Sequence, residues 1–155
     1  MEWLTINKQS ELPDWASLKH LGQFFHETMV PWGDSREDVD RALADLFSGK
    51  SGPGGFLELI GYQREPGESP MLGAALCMLD TGMSGYVPSH ILLFVSVHPD
   101  LRGKGMGGKL VKRAVQRCPG EVKLHVEYEN PAKRLYERLG FTSKYAEMRY
   151  QKPGN

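Results

Sequence analysis

Apolar positions recur along this chain in two rhythms. The short run Trp3-Leu4-Thr5-Ile6 is a strand candidate at the N-terminal end. Leu18, Leu21, Phe25 and Met29 then return every three or four residues and predict an amphipathic helix ending before Pro31. A second helix is predicted from Asp34-Ser35-Arg36-Glu37-Asp38. Ser35 can cap it, and acidic side chains suit the positive end of the helix dipole. Val39, Ala42, Leu43, Leu46 and Phe47 form its apolar stripe, and it stops in Ser48-Gly49-Lys50-Ser51-Gly52-Pro53-Gly54-Gly55, a loop by composition.

From there the rhythm shortens. Residues 56–62 and 73–79 read as strands separated by the turn-rich stretch 65–70. Residues 91–97 open with five consecutive apolar side chains, the pattern of a strand covered on both faces. A glycine-rich turn at 103–108 leads into a helix carrying Leu110, Val111, Ala114, Val115 and Cys118. Residues 122–128 alternate as a strand. Asn130-Pro131 opens a last helix, Gly140 closes it, and residues 141–151 are expected to supply one or two final strands. No repeat, linker or low-complexity tract divides the chain, so one α/β domain over residues 1–155 with a mixed central sheet is expected.

Composition narrows the function classes. Nineteen basic residues balance nineteen acidic ones, which disfavours a strongly basic nucleic-acid binder. The chain opens without the basic start and apolar block of a signal peptide. Its longest apolar run is far short of the roughly 20 residues of a membrane span. Cys77 and Cys118 lie far apart with no His–Cys cluster, so neither a disulfide framework nor a zinc site is expected. The expectation is a cytoplasmic protein with reduced thiols, no metal, and neither membrane nor nucleic acid as partner.

The charge balance hides a split. Residues 102–117 hold six basic side chains and no acidic one, while the charged residues of 34–45 are mostly acidic, five against two basic. The glycines are uneven too, and four of the 18 fall between positions 103 and 108. That loop lies between a strand and a helix, which makes it an anion cradle. Glycine lets a ligand approach the backbone, and free N–H groups at a helix start favour negative charge. Arg102 and Lys104 add positive charge.

Three readings compete for the loop. Gly103-x-Gly105-x-x-Gly108 matches the dinucleotide fingerprint, and Glu127 falls near the distance of a ribose contact. Five residues, however, separate the strand from the first glycine, and only about 50 residues remain for a doubly wound sheet. A nicotinamide oxidoreductase is therefore the weaker alternative. Gly103, Gly108 and Lys109 nearly spell a P-loop, but Leu110 stands where a magnesium-holding Ser or Thr belongs.

The third reading accounts for more of the chain. Val95-Ser96-Val97-His98-Pro99-Asp100-Leu101-Arg102-Gly103-Lys104-Gly105-Met106-Gly107 resembles the main signature of the GNAT superfamily of acetyl-CoA-dependent N-acetyltransferases, with Arg102, Gly105 and Gly107 at its marked positions. A second signature of that family is matched by Asn130-Pro131-Ala132-Lys133-Arg134-Leu135-Tyr136-Glu137-Arg138-Leu139-Gly140-Phe141. The resemblance implies a single GNAT-like domain. Its sheet would be mixed and mostly antiparallel, flanked by about four helices, with central strands splayed at the cofactor slot.

The resemblance also implies roles. Acetyl-CoA is the co-substrate, its pyrophosphate on Arg102, Gly103, Lys104, Gly105, Met106, Gly107 and Gly108, and its pantetheine arm on the edge of Val95, Ser96 and Val97. Asn130 is the family's side-chain contact to the cofactor, and equally a plain helix cap. Tyr136 is the proton donor to the departing thiolate, although its spacing also suits an ordinary core tyrosine. His125 stands where some relatives carry a glutamate base. An imidazole near neutrality suits that work, and a surface histidine is the competing reading. His90 is a weaker base candidate, and relay through water would need no single base.

The acceptor implied is a small-molecule or peptide amine. Glu27, Asp34, Glu37, Asp38, Asp40 and Asp45, against Arg36 and Arg41, could draw a cation there, or form a solvated helix face. Trp15, Phe24, Phe25 and Trp32 could line a pocket or lie in the core. A non-catalytic acyl-CoA sensor is the main rival class, and a homodimer is left open.

Overall fold

A computed structural model describes residues 1–49 and 52–154, so Lys50 and Ser51 of the first glycine-rich loop lie outside the described residues. The strands are β1 (Glu2–Ile6), β2 (Gly55–Tyr62), β3 (Met71–Asp80), β4 (His90–Val97) and β5 (Val122–Leu124). The helices are α1 (Leu18–Thr28), α2 (Arg36–Ser48), α3 (Met106–Arg117) and α4 (Ala132–Arg138). One sheet holds all five strands in the order β1-β2-β3-β4-β5. The first four are antiparallel, and only β4 and β5 run parallel. That is the expected mixed, mostly antiparallel sheet. It removes the doubly wound parallel sheet on which a nicotinamide reading rests.

Each face of the sheet carries its own core. Leu21, Phe24 and Phe25 of α1 and Val39, Leu43 and Leu46 of α2 pack on Leu57, Leu59, Ala75 and Cys77. On the other face Leu110, Val111 and Ala114 of α3 and Tyr136 of α4 pack on Phe56, Ile60, Leu76 and Met78. The two periods seen in the sequence are these two burial geometries, a helical stripe and a strand face. Gly22 is a close-approach position: a Cβ there would run into the Asp40 carboxylate, so a larger residue would push α1 from α2.

The alternation of β4 reverses at a bulge. Met78 pairs with Leu92 and Cys77 with Phe94, leaving Leu93 as the extra residue. Leu92 therefore faces α3, whereas Phe94, two residues on, joins the α1–α2 core. The five-residue apolar run is thus read by two helical layers in turn.

Two expectations fail. The strand expected over 122–128 ends at Leu124, and residues 141–151 form no strand: Tyr145, Met148 and Tyr150 stand exposed. The apolar side chains of this last segment pair with no strand among the described residues, and strand preference without a packed neighbour does not make a strand. One charge is buried in the sheet. Glu58, 1% exposed on β2, accepts from Arg113 Nε at 3.1 Å, Arg117 Nε at 2.5 Å and Thr5 Oγ1 at 3.0 Å. It ties the sheet to the C-terminal half of α3.

Candidate functional site

The loop after β4 is built on a sequence of tight turns. His98 caps a single 3-10 turn, Pro99–Leu101, its Nδ1 accepting from the Asp100 N–H at 3.1 Å. Gly103 and Gly105 then sit at φ 77° and 76°, a left-handed conformation that side-chain-bearing residues adopt only with strain. Gly105 immediately precedes α3, and no side chain caps that helix. The N–H groups of Met106, Gly107 and Gly108 therefore lack an intrahelical acceptor and carry the positive end of the helix dipole. Val97, Arg102, Gly103, Gly105, Met106, Gly107 and Gly108, with Leu101 and Leu135, line one hollow of about 220 Å³. This set contains most of the sequence-predicted cradle; Lys104 is exposed beside it.

Side chains from neighbouring elements brace the loop. The Tyr62 hydroxyl lies 3.2 Å from His98 Nδ1 and donates to Asp100 Oδ2 at 3.1 Å, and Arg64 Nε donates to the same oxygen at 3.2 Å. Burial raises the Tyr62 pKa, so this donor keeps its proton. Arg102 donates through Nε to the Val97 carbonyl and through Nη2 to the Thr28 carbonyl, both at 3.1 Å. Its guanidinium clamps the end of α1 to the start of the loop. Ser96 Oγ completes that junction by donating to Thr28 Oγ1 at 2.5 Å. Tyr62, Arg64 and Thr28 were not foreseen, because their spacing from the loop in sequence carries no signal.

A slot opens where β4 outruns β5. The two strands pair only at His90–Val122, Ile91–Lys123 and Leu92–Leu124. From Leu93 onward β4 has no neighbour on that side among the described residues. Val95, Ser96 and Val97 lie in this unpaired length. The bulge turns Ser96 towards α1 and leaves Val95 and Val97 half-buried on the α3–α4 face.

Tyr136 is buried to 9% exposure, with its ring edge-to-face with Phe141 at 5.9 Å between centroids. Its hydroxyl has no hydrogen-bond partner among the described residues, and burial raises its pKa above the ordinary value of 10.0. It is a core tyrosine whose proton is uncommitted. Asn130 Oδ1 accepts from the Ala132 N–H at 2.9 Å, which makes it a turn residue at the start of α4. His125 falls just beyond the shortened β5 and is exposed, without a hydrogen bond among the described residues. His90 lies at the far end of β4 from the loop, beside Ser89 Oγ at 2.9 Å and Asp80 Oδ2 at 4.0 Å. That placement separates it from the cradle.

The α1–α2 side is less acidic than its composition suggests. Asp40 pairs with Arg36 at 2.9 Å and Glu37 with Arg41 at 3.4 Å, each one helical turn apart. Phe24 and Phe25 are core residues, and Trp15 packs against the same core. Of the four aromatics, Trp32 is the exposed one, at 38%.

This geometry has counterparts. Residues 71–143 match the profile of the acetyltransferase (GNAT) domain. A stretch of 61 residues is 39% identical to the "Cysteine-rich protein 2-binding protein" of mouse and of human, covering 38% of this chain and 8% of those proteins. Among solved structures, the apo aminoglycoside antibiotic 6'-N-acetyltransferase AAC(6')-IG of Acinetobacter haemolyticus superposes with a TM-score of 0.65. It has 19% identity, with 100% of both chains covered. AAC(6')-Iy, solved with the bisubstrate analogue CoA-S-monomethyl-acetylneamine, gives 0.64 at 16% identity and 97% coverage of each chain. Residues 71–143 thus match the acetyltransferase (GNAT) domain, and the chain as a whole shares the fold of these acetyltransferase structures. Among the described residues no helix is long and apolar enough to cross a membrane.

Proposed function

We propose that the protein is an N-acetyltransferase that moves an acetyl group from acetyl-CoA to a primary amine of a small molecule or peptide. The observation that carries this is the uncapped start of α3 beside the unpaired length of β4. Together they form a phosphate cradle continuous with a strand edge. The residues fit the co-substrate: three backbone donors suit its pyrophosphate, and the free edge at Val95–Val97 suits its amide-bearing arm. When bound it supplies an activated thioester. The structural neighbour solved with a CoA analogue supports the same fit.

In the direct-attack mechanism, the acceptor nitrogen bonds to the thioester carbon and the oxygen takes up negative charge. A β4 N–H near Val95 then stabilises that oxyanion, a contribution of about 3 kcal/mol per donor in such sites. The carbon–sulfur bond breaks, Tyr136 gives its proton to the thiolate, and the amine proton leaves to His125 or to water. A raised tyrosine pKa keeps the donor protonated across the neutral range and shifts its loss of function to more alkaline pH. The uncommitted Tyr136 hydroxyl favours an enzyme over an acyl-CoA sensor. Burial pushes the Cys77 and Cys118 thiols up to about 12 and about 11, so neither is poised as the nucleophile and direct attack by the amine is favoured.

The test is thiol release with polyamines, amino acids, aminoglycosides and peptide N-termini. CoA should raise the melting temperature and NAD should not. Tyr136→Phe should lower kcat about a hundredfold while KM for acetyl-CoA changes less than threefold. Unchanged turnover would remove Tyr136 from the chemistry. His125→Ala should erase the acidic limb of the pH–rate profile, and a retained limb assigns the base role to water.

A further inference from the structure

The helix that starts at the cradle has two flanks with opposite fates. At its first turn Gly107 and Gly108 face α4, where added Cβ atoms would lie 3.7 and 3.6 Å from Leu135. On the other flank Lys109, Lys112, Arg113 and Gln116 make one stripe at helical spacing. With Trp3 of β1 they line a shallow groove of about 440 Å³. Arg113 is held there, its guanidinium 5.6 Å from the Trp3 ring centre and its Nε on Glu58. Glu58 offers a single negative charge to Arg113 and Arg117 together. Lys109 and Lys112 have no counter-ion among the described residues, and no acidic residue occurs from Arg102 to Arg117. The groove also borders the outermost strand: β1 pairs with β2 and has no partner on its other side among the described residues.

We propose that this groove binds an extended acidic segment of a partner protein. Such a segment can add its backbone to the open edge of β1 and turn every second side chain towards the flank of α3. Carboxylates at those positions would meet Lys109 and Lys112, and the aliphatic stems between them would lie on Trp3. A nucleic acid fits less well. Its sugar–phosphate backbone has no complement to the alternating donors and acceptors of a strand edge. The flank is turned away from α4, so a partner there leaves the cradle open.

The probe is a fluorescent, N-acetylated Glu-Thr-Glu-Thr-Glu-Thr peptide, followed by anisotropy at low salt. Binding should weaken at least tenfold in the Lys109→Glu/Lys112→Glu double variant and by an intermediate factor in the Lys109→Gln/Lys112→Gln variant. Both should retain the wild-type melting curve. Methylation of alternate peptide nitrogens, in the register that faces β1, should also cost about tenfold. Lys104→Glu, which alters the loop and not the groove, should change binding less than twofold. The proposal is overturned if the lysine variants bind as wild type, or if Lys104→Glu costs as much as they do. It is equally overturned if backbone methylation has no effect, or if an oligothymidylate of equal charge binds as tightly as the peptide.

Discussion

Helices α2 and α3 have similar lengths and opposite beginnings. Ser35 caps α2 by accepting from the Asp38 N–H at 3.2 Å, and Glu37 and Asp38 occupy its first turn. Its orphan donors and its dipole are answered from within the chain. α3 begins at a left-handed glycine, with no capping side chain and no acidic residue in its first turn. A helix that leaves its start unanswered forgoes stability there and keeps donors available for an anion. The contrast separates a helix terminus answered from within the chain from one whose donors stay open, although both follow glycine- or serine-bearing turns. It also explains why α3 is anchored elsewhere, through Arg113 and Arg117 on the buried Glu58.

Exchanging the two kinds of beginning tests that contrast most severely. Gly107→Asp places a carboxylate in the first turn of α3, where a Cβ meets Leu135 only at ordinary contact distance. CoA affinity should fall about a hundredfold, close to 3 kcal/mol. The melting temperature of the free protein should hold or rise, because an acidic residue there suits the dipole. Calorimetric titration beside a thermal melt reads both, and an unaltered CoA affinity would break the comparison. Removing the anchor should have the next largest effect. Glu58→Gln leaves two arginines against a buried neutral amide. Because both arginines are partly exposed and screened, the expected loss is about 2 kcal/mol by denaturant unfolding, not the full cost of a broken buried pair. The smallest effect belongs to the capped helix. Ser35→Ala should cost about 1 kcal/mol and lower the melting temperature by roughly 2–4 °C. CoA affinity should stay within twofold, and a larger change would mean that the start of α2 also serves the cofactor.

The same division runs through what the chain's residues disclosed. The loop from Arg102 to Gly108 and the helix from Ala132 to Arg138 were legible because their chemistry is local. A left-handed turn demands glycine, and the helix start follows a few residues later. The capped start of α2 was legible for the same reason. Glu58 was not, since a single glutamate in an apolar strand reads as an exposed position until α3 brings two arginines over it. Tyr62, Arg64 and Thr28 brace the loop from distant parts of the chain, and no spacing rule connects them to it. The segment 141–151 misled in the other direction. Its alternation is that of a strand, and a strand needs a neighbour.

By itself, then, the order of residues determined the helices, most of the strands, the anion cradle and the resemblance to one superfamily. All of these depend on backbone preferences and periodicities that act within a few residues. Only the tertiary structure decided where β4 outruns β5, and that the bulge at Leu93 turns Ser96 towards α1. Folding also left Tyr136 with an uncommitted hydroxyl, and it set one flank of α3 against α4 and the other over an open edge of the sheet. Those outcomes depend on which surfaces meet, and burial, pairing and exposure are properties of the packed chain.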